Sequence, residues 1–145
     1  MATMWPAASR RPSRFASVLL ALALAGCDGG AAAPPAAKKT IDSNDGRYQV
    51  EVETKPAAIE VNQPFDVVVT VTPKSGAAKD LGVVVDARMP AHFHGMNRTA
   101  KLSRAGGNTW KAEGLVFHMS GHWELYVDIT DGGVTERAQM DVNLK

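Results

Sequence analysis

Phe65-Asp-Val-Val-Val-Thr-Val-Thr72 alternates with a period of two, and Phe65, Val67, Val69 and Val71 fall on one face. Successive side chains of an extended chain point to opposite sides, so this pattern is that of a strand with one face in a core. The same pattern recurs on both sides of it. Upstream, Tyr48-Gln-Val-Glu-Val-Glu-Thr54 places Tyr48, Val50 and Val52 together. Downstream, Val83-Val-Val-Asp-Ala-Arg-Met89 is a second β-branched run. Thr99-Ala-Lys-Leu-Ser-Arg104 is short and polar, as an edge strand would be. Asn108-Thr-Trp-Lys-Ala-Glu113 aligns Trp110 with Ala112. Trp123-Glu-Leu-Tyr-Val-Asp-Ile129 aligns Trp123, Leu125, Val127 and Ile129, and Val134 to Leu144 keeps Ala138, Met140 and Val142 in step.

Turn chemistry separates these runs. Thr72-Pro-Lys-Ser-Gly76, Arg104-Ala-Gly-Gly-Asn108 and Thr130-Asp-Gly-Gly133 carry the Gly, Pro and Asn that tight turns need, and the last two have the form of hairpin loops. No segment carries a helical stripe. About seven short strands in about 100 residues predict an all-β fold, a single immunoglobulin-like antiparallel β-sandwich over residues 47–145. A small open barrel is the alternative.

The segment before this domain has a different character. Arg10, Arg11 and Arg14 precede the apolar run Phe15 to Ala25. That run falls short of the roughly 18–20 apolar residues a spanning helix needs. A basic flank, a short apolar core and small residues at its end describe a secretory signal peptide over residues 1–26. It ends in Leu24-Ala-Gly-Cys27, which resembles the lipobox of bacterial lipoproteins. In that class the peptidase cuts before the cysteine, and the thiol carries the lipid. Cys27 is thus the expected lipidation site. It is also the chain's one cysteine, so no intrachain disulfide can form and no thiol is left for nucleophilic chemistry. The alternative is an ordinary signal peptide with a chance cysteine. Residues 28–46 are rich in Ala, Pro, Gly and polar residues, and residues 27–46 read as a lipidated cysteine and flexible tether. Asp28 resembles the inner-membrane retention signal of enteric-type lipoproteins. The expected location is therefore the periplasmic face of a bacterial membrane, with the inner membrane favoured.

Removing the three arginines of the signal from the sixteen basic residues leaves thirteen against fifteen acids, a formal charge of −2. A near-neutral chain without a basic block is a poor partner for nucleic acid. Enzyme signatures are missing too: there is no Gly-rich phosphate loop and no G-x-S-x-G elbow. Glu124 and Asp128 read as the solvated face of a strand, and a non-enzymatic role is expected.

The chain's four histidines lie in two short segments, Met89-Pro-Ala-His-Phe-His-Gly-Met96 and His118-Met-Ser-Gly-His-Trp123, and Met89, Met96 and Met119 lie there with them. In an extended chain His92 and His94 project to one side. Met96 would join them if the chain stays extended past Gly95, although Gly95 could equally make a turn. Loops cluster at the ends of a sandwich, so the two segments could meet at one end. Thioether is soft and suits Cu(I), imidazole suits either copper state, and a zinc site would more often include Cys or carboxylate. Copper is accordingly the expected metal. The candidate ligands are His92, His94, Met96, His118, Met119 and His122. The structural alternatives are specific. Met89 fills a core position, His118 ends the strand Leu115–His118 with its ring nitrogens hydrogen-bonded, and His122 or Trp123 is a packing partner.

Two stretches, Met89-Pro-Ala-His-Phe-His-Gly-Met-Asn97 and Trp110-Lys-Ala-Glu-Gly-Leu-Val-Phe-His-Met-Ser-Gly-His-Trp-Glu-Leu125, resemble the YtkA-like domain. This is a small exported β-sandwich related in pattern to the FixH group. Members show a Met-Pro-x-(Met/His)-x-His-Gly-Met loop, here Met89 to Met96, and a Phe-x-Met-x-Gly-x-Trp turn, here Phe117, Met119, Gly121 and Trp123. The resemblance spans roughly residues 47–143. It implies a link to copper supply and cytochrome oxidase assembly, the roles associated with FixH-group proteins. FixH itself carries a membrane segment, whereas this chain is expected to carry a lipid anchor.

Two functions follow as expectations. One is a membrane-anchored periplasmic copper-binding lipoprotein, a chaperone or sequestering protein, that serves a membrane copper protein or an oxidase assembly factor. The other is a non-metal interaction module that assists assembly of a membrane complex such as a cytochrome oxidase. The first requires the His and Met side chains to converge. The second requires an exposed apolar patch around Phe93 and Met96 with the histidines scattered. A small-molecule site would need a pocket deeper than a domain of this size usually spares.

Overall fold

The computed structural model describes residues 36–145. The expected signal peptide, Cys27 and Asp28 lie outside the described residues. Nine strands follow in order: β1 (Ala37–Asp42), β2 (Tyr48–Lys55), β3 (Pro64–Pro73), β4 (Gly82–Met89), β5 (His94–Gly95), β6 (Lys101–Gly106), β7 (Thr109–Val116), β8 (Gly121–Asp131) and β9 (Val134–Leu144). They form two antiparallel sheets, ordered β1-β2-β3-β7-β6 and β5-β4-β8-β9. All seven runs read from the sequence are strands. Lettered A to G in chain order, they give A-B-E-D against C-F-G, the immunoglobulin arrangement. The two additions are β1 beside the first strand and the two-residue β5 beside β4. Among the described residues no helix is long and apolar enough to cross a membrane.

The core is the sum of the period-two faces. Val50, Val67, Val69, Ala87, Ala112, Leu115, Phe117, Trp123, Ile129 and Ala138 are wholly buried between the sheets. The Phe117 and Trp123 rings stack 4.6 Å apart, and Phe65 meets Phe117 edge-on at 4.9 Å. Both predicted hairpins form. In the second, Gly132 and Gly133 take φ of 58° and 85°, the left-handed pair that a two-residue turn matching strand twist requires.

Within the stretch expected to be tether, residues 27–46, Ala37–Asp42 is instead a strand that pairs along β2 from Ala37↔Thr54 to Asp42↔Gln49. Apart from the half-buried Ile41 the strand is exposed, so it leaves no apolar alternation to read. Backbone pairing and contacts such as Lys38 Nζ to Glu51 Oε1 (2.9 Å) hold it.

The strand registers place several termini at one end of the sandwich. Lys55 opposes Asp66, Pro64 opposes Val116, Arg88 opposes Glu124, and Gly121 opposes Leu144. The segment after β4, with His92 and His94, and the loop after β7, with His118, therefore emerge at that one end, as does the start of β8 with His122.

Candidate metal centre

Each histidine segment is built by local backbone chemistry. After Met89 the chain forms one turn of 3-10 helix, Pro90–His92, with Pro at its start, where a missing N–H costs nothing. Phe93 then takes a left-handed conformation (φ 56°, ψ 30°), and its N–H reaches the Pro90 carbonyl. His94 re-enters the sheet by pairing with Met89. The extended chain expected here is thus replaced by a turn, yet the His92 and His94 rings still lie side by side, with centroids 5.8 Å apart. Reversal of the chain, rather than the two-residue period, makes them neighbours.

The second segment comes from the opposite side. Strand β7 stops at Val116, two residues earlier than a strand ending at His118 would. Phe117 enters the core, and the Asn62 N–H bonds its carbonyl at 2.9 Å. The Trp123 indole N–H donates to the Met119 carbonyl (2.9 Å), which ties residues 119–123 into a compact turn. Gly121 closes that turn with φ 121°, and a Cβ there would meet Met89 Cε at 2.5 Å. Met89 is buried, so its thioether packs the two histidine segments together from inside the core.

This packing brings His94 and His118 to 5.0 Å between ring centroids, with Trp123 5.9 Å from the first and 5.5 Å from the second. His92, His94 and His118 form a row of three imidazoles, the last two against the Trp123 indole. Their nitrogens differ in what they can do. His94 Nδ1 lies 2.9 Å from the Gly95 carbonyl oxygen. A carbonyl only accepts, so Nδ1 carries the proton and Nε2 keeps its lone pair. His118 Nδ1 is buried without a hydrogen-bond partner, and it alone among buried side-chain polar atoms of the described residues is in that position. Buried polar atoms are nearly always paired, so this nitrogen stands out. The reading of His118 as a hydrogen-bonded strand end does not survive.

The remaining candidates stand elsewhere. His122 is exposed, and its Nε2 donates to Asp141 Oδ1 at 3.0 Å across to β9. Met96 and Met119 are partly buried against the core, and Met96 faces a groove shared with Val84, Gly95 and Leu102. Among the described residues, no three His, Cys, Asp or Glu side chains are arranged to hold an ion together. The three imidazoles are neighbours rather than a finished coordination sphere.

The carboxylates of β8 are engaged. Glu124 pairs with Arg88 at 2.5 Å, and Asp128 takes both Arg137 Nε (2.7 Å) and Nη2 (2.8 Å). The guanidinium of Arg137 also lies 3.8 Å over the Tyr126 ring. The expected solvated face of β8 is in fact a lattice of ion pairs with β4 and β9. Phe93 is the residue that the interaction-module expectation required to be exposed. It is 96 % exposed, between the two clustered histidines.

A family described as YtkA-like matches residues 38–128 through its model. No curated protein matches, and no solved structure matches.

Proposed function

The chain belongs to the YtkA-like family, and from that footing we propose that it is a membrane-anchored extracytoplasmic copper-binding lipoprotein, a carrier or a sequestering protein. His92, His94 and His118 are its metal-binding residues. The observation that carries this reading is the orphaned His118 Nδ1 beside an imidazole whose Nε2 is free. A bound ion would give that buried nitrogen the partner it lacks. The donor set also fits. Imidazole serves either copper state, and Cu(II) heads the affinity order of the first-row divalent metals. Met96 and Met119, packed against the core, are outside the set. So is His122, held by Asp141. His92, exposed on the turn, is the residue free to swing and complete the site. The proposed role is binding rather than catalysis.

The test is metal analysis and Cu(I) competition titration of the soluble domain beside two variants. Stoichiometric binding should be lost in His92→Ala/His94→Ala and kept in His122→Ala. Absence of binding by the unaltered domain overturns the proposal.

One observation favours the second reading, an interaction module for assembly of a membrane complex such as an oxidase: Phe93 is fully exposed. Its other requirement, scattered histidines, is not met, since three of the four stand together. The copper reading therefore accounts for more of the site.

A further inference from the structure

Phe93 adopts a left-handed backbone that bulky side chains rarely take, and it buries almost nothing of its ring. Neither local conformation nor core packing explains it. Its place in the fold does. Strand β1 begins at Ala37, opposite Thr54, and so starts at the end of the sandwich where the histidine loops emerge. Ala37 lines one groove together with Ala57 and Leu144, which confirms the same end from the second sheet. The chain leading back to Cys27 thus leaves the domain beside the metal end. The ten residues from Cys27 to Ala37 reach at most about 35 Å.

We propose that this end of the sandwich lies on the bilayer, with Phe93 inserted in the lipid interface and the histidine row held at the membrane surface. The proposal rests on lipidation of Cys27 and not on the metal. A lipid interface suits this surface better than a protein partner does. The other strongly exposed large apolar residues among those described, Val84, Leu102 and Val134, lie on the flank or at the far end, so Phe93 stands alone here. A stable protein interface needs roughly 800 Å² per partner, which one aromatic ring does not supply. Phe is among the residues that enter the headgroup–acyl boundary from interfacial segments. The groove beside Phe93 holds Pro90, Met89 and Tyr126, and its charges are matched: Arg88 pairs with Glu124, and Asp86 accepts from the Tyr126 hydroxyl. The acyl chains provide retention, and Phe93 provides orientation as a second, weaker signal.

The experiment uses the lipidated full chain on vesicles of phosphatidylethanolamine and phosphatidylglycerol. A nitroxide is placed at Ala91→Cys on the turn, or at Ser75→Cys in the loop after β3 at the opposite end. Access to oxygen and to a water-soluble relaxant is then compared. The expected result is that the label at position 91 becomes several-fold less accessible to the water-soluble reagent on vesicles. The label at 75 should not change, and protection at 91 should be lost when Phe93→Ser is added. A chain that floats with vesicles but shows equal exposure at both labels overturns the docking and leaves the anchor standing. A chain that does not float overturns the anchor and the docking with it. Protection at 91 that appears only when the vesicles carry membrane proteins overturns lipid as the occupant.

Discussion

At the scale of single residues, His118 is where folding and function compete. A buried nitrogen without a partner costs about 1–3 kcal/mol relative to an apolar atom in the same place. His118→Leu should therefore raise the midpoint of thermal unfolding while reducing Cu(I) affinity at least about tenfold, one lost imidazole ligand being worth upwards of 1.4 kcal/mol. Calorimetry and competition titration on the same sample check both halves, and a variant that is less stable shows that the ring is an ordinary packing group. Trp123 offers a direct reporter. It is buried with the rings of His94 and His118 against it, so Cu(II) at the row should quench its emission. In a Trp110→Phe background, where Trp123 dominates the signal of the mature domain, quenching that saturates at one equivalent is expected, and none after His94→Ala.

At the scale of elements, the site depends on two turns that are locked to each other through the core. Met89 at the end of β4 fills the space that a side chain on Gly121 at the start of β8 would occupy. Gly121→Ala meets both a left-handed backbone and a steric clash, and should destabilise the domain by about 2–3 kcal/mol in urea unfolding. Met89→Ala added to it should recover part of that loss by removing the clash, so the two changes will be non-additive. The turns were legible only in part. Gly121 and Pro90 announced breaks, but Pro90 suggested an extended connection, whereas its fixed φ serves equally well to open a 3-10 turn. Strand β1 was illegible for a different reason. With its side chains mostly in water, its existence is decided by β2's unpaired edge rather than by its own residues.

At the scale of the whole molecule, the two sheets are clasped at the end away from the histidines. Glu136 of β9 is fully buried and accepts from Ser43 Oγ at 2.6 Å, from the Arg47 backbone N–H at 3.4 Å, and from the Arg47 guanidinium. Burial alone would raise its carboxyl. The Ser43 hydroxyl and Arg47 outweigh that and hold it below the usual glutamate value. Because the folded state depresses this value, the clasp contributes its full stability above the unfolded glutamate range, near pH 4.3, and loses it as pH falls through the lower folded value. Glu136→Gln should cost about 2 kcal/mol at neutral pH. It should also flatten the fall in stability between neutral and acid conditions, as measured by denaturant titration across pH. An unchanged slope would show that other carboxylates, such as Asp131 with its bonds from Tyr48, Lys79 and Asp80, set the acid limit.

The sequence by itself determined the seven alternating strands, their hairpin turns and the pool of residues from which a site could be drawn. Those properties are periodic or compositional, and a strand's inward face is written in every second residue. Only the tertiary structure decided which histidines meet. His92, His94 and His118 converge because a left-handed Phe93 reverses one loop while Met89 and Gly121 draw the other against it. His122, four residues from His118, is turned away to Asp141 by the alternation of β8. At which end of the sandwich β1 begins was likewise settled by strand register, since that is a relation between distant segments and no single stretch of chain contains it.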